Sequence, residues 1–155
     1  MPYRNILVAV DLGTTTETVI QRAVSLASQN NAQLHVLHVI EPLAITYGGD
    51  IPMDFSAIQE EIQGQAKEQL DKLCSTFSVP DSNRYLVMGR PESEIPTRAK
   101  DVACDLILVG SHARWGLTLL LGSTTDGVMH GAECDVLAVR VDAASQRSDR
   151  SYKET

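Results

Sequence analysis

Within residues 106–131, LILVGSHARWGLTLLLGSTTDGVMHG, lies the densest set of side chains able to do chemistry. A run of branched apolar residues ends at Gly110, a polar turn follows, and Gly122 opens a stretch of hydroxyls at Ser123, Thr124 and Thr125. Glycine lets backbone amides approach a ligand closely, and a helix starting at Ser123 would aim its positive end at the same place. The set could cradle phosphates, form a tight structural turn, or be what is left of a cradle. Asp11 is the second candidate, closing the apolar run NILVAV. Its carboxylate could accept hydrogen bonds from a base or ribose, or cap the first helix by bonding its free amides.

Familiar catalytic signatures are missing. There is no Gly-x-x-x-x-Gly-Lys-Ser/Thr loop, and DLGTTTE after the first apolar run has one glycine where a dinucleotide site has three. A Gly-x-Ser-x-Gly elbow is absent too. No base or lysine can be named for a reaction, so whether the chain is an enzyme stays open and the reading leans away from it. His35 and His38 stand three apart on one strand and face opposite sides, so they cannot share a metal. His112 and His130 read as solvent-facing or structural rather than as metal ligands, so side chains alone are expected to supply no metal site. Cys74, Cys104 and Cys134 are odd in number, widely spaced and read as reduced thiols. Trp115 could cover a ligand or pack on its own domain or a partner.

The elements that must position these residues alternate in period. Short runs apolar on both faces, at residues 5–10, 33–40, 84–88, 105–110 and 134–141, are expected as parallel strands covered by helices. Between them Val19, Ile20, Ala23, Val24 and Ala27 form one helical stripe behind Thr14 to Thr16 as candidate caps. A second stripe, Phe55, Ile58, Ile62, Ala66, Leu70, Leu73 and Phe77, follows Asp54 as its expected N-cap. The third is Ile95, Ala99, Val102 and Ala103, and a last helix is expected at about residues 123–131. This alternation predicts an α/β three-layer sandwich, a five-stranded mainly parallel sheet with helices on both faces and right-handed crossovers. In such sheets ligands sit beyond the carboxyl ends of the strands, where the strand order reverses. Residues 41–53, with two prolines and a Gly-Gly pair, are expected to loop over that end, where they could act as a lid. The domain is expected to end at residue 142, followed by a polar, disordered tail at 143–155.

The 155 residues fit one domain, and 43% hydrophobic with 21% charged residues is an ordinary globular composition. A formal charge of −7 repels nucleic acid and anionic lipid, and no basic aromatic patch reverses it locally. No apolar run approaches the roughly 18 residues of a membrane span, and MPYRNILVAVD lacks the parts of a secretion signal. The expected location is the cytoplasm.

Four stretches, RNILVAVDLGTTTETVIQRAVSLA, LHVLHVIEP, GRPESEIPTRAKDVACDLILVGSH and LLLGSTTDGVMHGAECDVLAVRV, resemble the universal stress protein family over nearly the whole folded part, residues 4–141. The resemblance implies a Rossmann-like fold of the adenine nucleotide alpha hydrolase type with strand order 3-2-1-4-5. It also implies a cytoplasmic homodimer joined through its last strand and linked to stress survival, with a protein partner the residues do not name. Val136, Leu137, Val139, Arg140 and Val141 would form that interface, which has independent physical sense because self-pairing hides an open strand edge.

The ATP-binding branch of the family carries Gly-x-x-Gly, nine residues, then Gly-Ser/Thr. Gly110, Gly122 and Ser123 match; Ala113 stands at the second glycine, and eight residues separate it from Gly122. By the same resemblance Asp11 contacts adenosine, Ala9 and Val39 line the base and ribose, Val109 precedes the loop, and Thr124 extends the hydroxyls, with Mg-ATP as the implied ligand. A methyl at Ala113 hinders close approach and positive φ, and the missing residue changes how the loop spans two fixed elements. Gly116 could restore some of that freedom. A second branch, of the A type, lacks the motif and binds no nucleotide; the pattern here is mixed between the two.

Overall fold

The computed structural model describes residues 2–43, 55–112 and 123–141. Strands and helices alternate: β1 Asn5–Ala9, α1 Thr16–Asn30, β2 Gln33–Ile40, α2 Ser56–Thr76, a single 3-10 turn at Asp81–Asn83, β3 Arg84–Met88, α3 Pro91–Asp101, β4 Leu106–His112, α4 Ser123–Gly131 and β5 Asp135–Val141. All four strand pairings are parallel, and the sheet order is β3-β2-β1-β4-β5. The chain builds outward from β1 to β3 and then returns to β4 on the other side of β1. The order therefore reverses between β1 and β4, and in open α/β sheets the carboxyl ends at such a reversal are where ligands bind.

Alternation along the strands divides the core into two layers. Ile6, Val8, Val36, Leu106 and Leu108 face α1 and α2, where they meet Ile20, Ala23 and Leu70. Leu7, Leu37, Ile107 and Val109 face the other way, onto Ile95, Ala99 and Val128 of α3 and α4. Edge strands are less covered: β3 keeps only partial burial, and Met88 at its end is exposed. Among the described residues no helix is long and apolar enough to cross a membrane.

Several boundaries differ from the sequence reading. β1 ends one residue early, at Ala9, and β4 runs two residues past Gly110. Phe55 and Phe77 flank α2 instead of lying in it, and Ile58 on its first turn is 47% exposed, so that apolar stripe is covered only from Ala66 onward. Asp54, the expected cap, lies outside the described residues, as do residues 44–53 and 142–155. Val102 and Ala103 are not helical: α3 stops at Asp101, and Ala103 turns the chain at φ 53°. Cys104 N–H then donates to the Ala99 carbonyl at 2.8 Å and Ala103 N–H to that of Lys100 at 3.1 Å. The same paired closure ends α1 at Asn31 and α2 at Ser78, both also left-handed. Three helices thus end in Schellman-type turns without glycine, so the usual sequence signal for the stop is absent.

Two helical glycines have opposite surroundings. Gly64 in α2 is exposed, and an added Cβ would meet nothing within 4 Å. Gly127 in α4 sits against α3, where an added Cβ would lie 2.5 Å from Glu92 Cβ and 3.5 Å from its Cα. Glu92 Cβ cannot swing away as a side-chain tip would. Gly64→Ala is therefore expected to stabilise the fold by about 0.5–1 kcal/mol through backbone entropy. Gly127→Ala gains the same term but forces α3 and α4 apart, with a net loss of about 1–3 kcal/mol. Chemical denaturation of both variants checks the opposite signs.

Candidate functional site

The switch point brings several of the expected site residues to one end and one face. Ala9 closes β1 opposite Leu37, Val39 lies near the end of β2 opposite Val87, and Val109 stands in β4 opposite Ala138. All three pack into the layer shared with α3 and α4. They form an apolar wall whose rim is the carboxyl edge of the sheet, and Ala9 and Val39 are only partly covered.

Asp11 stands two residues past the end of β1 and is exposed. Both of its hydrogen bonds converge on Oδ1, one from Gly13 N–H and one from the Thr16 hydroxyl, each 2.8 Å. The carboxylate is held in a fixed orientation while Oδ2 has no partner among the described residues. Asp11 thus bonds an amide ahead of α1 and a side chain in its first turn, not the free amides of the helix itself, and Thr15, at the N-cap, makes no side-chain cap bond. The turn requires Leu12 at φ 60°. A leucine in that region costs on the order of 1 kcal/mol, a strain typical of sites where surrounding bonds fix the backbone. His38 adds to the fixing, since its Nδ1–H donates to the Val10 carbonyl at 2.7 Å, while Val10 N–H reaches the Leu37 carbonyl at 2.9 Å. Sequence reasoning gave His38 no role; only the parallel pairing of β1 with β2 brings it to Val10.

Gly110 is a strand residue, paired with Val139, and is not left-handed. An added Cβ would meet Val19 Cγ2 of α1 at 3.2 Å, closer than most side chains tolerate. The approach of α1 to β4 is thus a sufficient reason for glycine here. Thr125 is buried, and its hydroxyl donates to the Gly110 carbonyl at 3.3 Å, latching the first turn of α4 onto the end of β4. Of the hydroxyls, this one is committed to structure. Thr124, beside it in the first turn, is only partly covered, and Ser123 begins the helix. The amino end of α4 lies by the carboxyl end of β4, where Thr125 reaches Gly110, so the positive end of its dipole is on the switch-point end of the sheet. Ala113, Gly116, Gly122 and Trp115 lie outside the described residues.

Elsewhere the side chains hold the fold together. His35 bonds the Tyr85 hydroxyl through Nδ1 at 3.1 Å, and burial lowers its pKa. Arg98 stacks 5.2 Å above the Tyr85 ring. His35 and His38 therefore serve different partners. Among the described residues no three His, Cys, Asp or Glu side chains are grouped to hold a metal. The expected interface residues lie on β5, which among the described residues ends the sheet and pairs with β4. Val139 and Val141 are buried inward, Val136 and Leu137 are partly covered, and Arg140 is exposed.

Comparison with known proteins agrees with this architecture. Residues 2–140 match the model of the universal stress protein family. Universal stress protein A homolog 1 of Coxiella burnetii is 40% identical over 141 residues, covering 90% of this chain and 97% of that protein. Among solved structures, universal stress protein UspA of Lactobacillus plantarum is 23% identical with a TM-score of 0.69, covering 90% of this chain and 99% of its own. A universal stress protein in complex with cAMP is 24% identical with a TM-score of 0.58, covering 90% and 98%. The two structural likenesses bear on the fold; the match along residues 2–140 and the 40% identity establish that the chain belongs to the universal stress protein family.

Proposed function

We propose that this chain is a homodimeric stress-response module that binds an adenine nucleotide, ATP with Mg²⁺, across the carboxyl ends of β1, β2 and β4. The observation that carries the reading is Asp11, whose carboxylate is oriented through Oδ1 and whose Oδ2 has no partner among the described residues, at the sheet end where Ala9, Val39 and Val109 form an apolar wall. In this reading Oδ2 accepts hydrogen bonds from the ribose or base, and Ala9, Val39 and Val109 contact the adenosine. The amino end of α4, with Ser123 and Thr124, receives phosphate oxygens, where amides and dipole favour negative charge. Mg²⁺ would be held chiefly by phosphate oxygens and water, in keeping with a cation that dehydrates reluctantly. A related protein of the same fold taken in complex with cAMP lends support to an adenine nucleotide as the ligand class. Self-pairing of β5 would cover its open edge through Val136, Leu137, Val139, Arg140 and Val141.

A second reading is a nucleotide-free interaction protein of the A type. It is favoured by Ala113 and the eight-residue span to Gly122, by the 40% identical relative, itself named for that type, and by Gly110 having a packing reason of its own against Val19. Denaturing the purified protein and assaying released adenine nucleotide, beside calorimetric titration with Mg-ATP, separates the two readings.

A further inference from the structure

Cys104 and Cys134 stand at matching places in the fold, just before β4 and just before β5. These strands are parallel neighbours with Leu106 opposite Asp135. Cys104 follows the left-handed turn at Ala103 and packs on the same α3/α4 side of the sheet as Cys134. The two thiols are close enough for Cys134 to act on Cys104 through its charge. Disulfides need about 4.4–6.8 Å between Cα atoms. Both side chains pack on the α3/α4 layer, both are half-buried, and both line one open groove of ≈340 Å³ together with Lys100 and Glu133. Cys74 cannot join them, because it is buried in the layer on the opposite face of the sheet.

We propose that Cys104 and Cys134 form a modification site at which a hydroperoxide oxidises the pair to an intramolecular disulfide. One thiolate attacks the peroxide O–O bond, giving a sulfenic acid and releasing the other oxygen as water or an alcohol. The second sulfur then displaces the sulfenic oxygen, which leaves as water, and the S–S bond forms. Two electrons pass from the sulfurs to the peroxide, and both thiol protons leave with the oxygens. The groove gives a small oxidant its path. Burial pushes the Cys104 thiol up to about 12, with Cys134 and Asp105 adding to the rise, and burial raises the Cys134 thiol too, with Asp135 and Asp105 adding to it. The pair is therefore slow at neutral pH and responds to sustained oxidant. The ring so closed, about 30 residues, contains β4 and α4, and the inference does not depend on the proposed nucleotide site.

The test treats the reduced full chain with excess hydrogen peroxide and maps peptides without reduction. The expected product is a Cys104–Cys134 linked peptide in the monomer-sized band, forming about tenfold faster per pH unit above neutrality because the thiolate is the reactant. Its thermal midpoint is expected to rise by roughly 5–10 °C. Cys74→Ser should leave the link intact, while Cys104→Ser and Cys134→Ser each abolish it. Peptide mapping of the unsubstituted chain reads the linkage even if a serine variant fails to fold. Links to Cys74, links between two chains, separate sulfinic acids at Cys104 and Cys134, or thiols that stay titratable in excess peroxide would each overturn the proposal.

Discussion

Leu108→Ala is expected to cost about 3 kcal/mol, within the range of about 2–5 kcal/mol seen for buried leucine truncations. Leu108 is fully buried in β4, opposite Val8 on one side and Leu137 on the other, and it belongs to the layer beneath α1 and α2. The sheet cannot collapse around the missing atoms, because parallel pairing on both sides fixes the backbone spacing. At about 2–4 °C per kcal/mol for a chain of this size, the thermal midpoint should fall by roughly 6–12 °C. Ile58→Ala is the matched control: that side chain is 47% exposed, so its loss should stay within about 0.5 kcal/mol. Equal losses at the two positions would mean that the layer under α1 and α2 is not the dense core described here.

Asp11→Ala is expected to weaken adenine nucleotide binding by about 10–100-fold, equivalent to a charge-assisted hydrogen bond of about 1.5–3 kcal/mol. The substitution also releases Gly13 N–H and the Thr16 hydroxyl, so circular dichroism and a denaturation midpoint accompany the titration. Asp11→Asn should lose less affinity, because the amide keeps an acceptor oxygen for both internal bonds. Thr16→Val has no proposed contact with the ligand, yet it removes the hydroxyl that orients the carboxylate. A several-fold loss in that variant would show that orientation matters as well as charge. Unchanged affinity in Asp11→Ala would remove Asp11 from the site.

The sheet and its order were legible because hydrophobic period separates buried parallel strands from amphipathic helices, and the family resemblance supplied the order 3-2-1-4-5. Helix ends were harder to read. Asn31, Ser78 and Ala103 turn left-handed where glycine would have announced the stop, so Val102 and Ala103 looked like a continuing apolar stripe. The candidate site was legible in composition more than in cause. Gly110 drew attention as a phosphate-loop glycine, but its nearest constraint is Val19 on the far side of the sheet, a contact between residues about 90 positions apart in sequence. Thr125 looked equivalent to Thr124 until the Gly110 carbonyl was placed beside it. Asp11 shows the same limit: its position at the end of a strand suggested two roles, and only the fold of residues 11–16 separates the oxygen used for structure from the oxygen left over.

The central claim is that a universal stress protein fold with an alanine at position 113 still holds an adenine nucleotide. Calorimetric titration of the purified, nucleotide-stripped chain with Mg-ATP tests it most directly. The account predicts a saturable heat with one nucleotide per chain, strongly reduced in Asp11→Ala. Absence of heat at millimolar Mg-ATP, with no nucleotide released on denaturing the protein as purified, would contradict it and leave the A-type interaction module as the function of this fold.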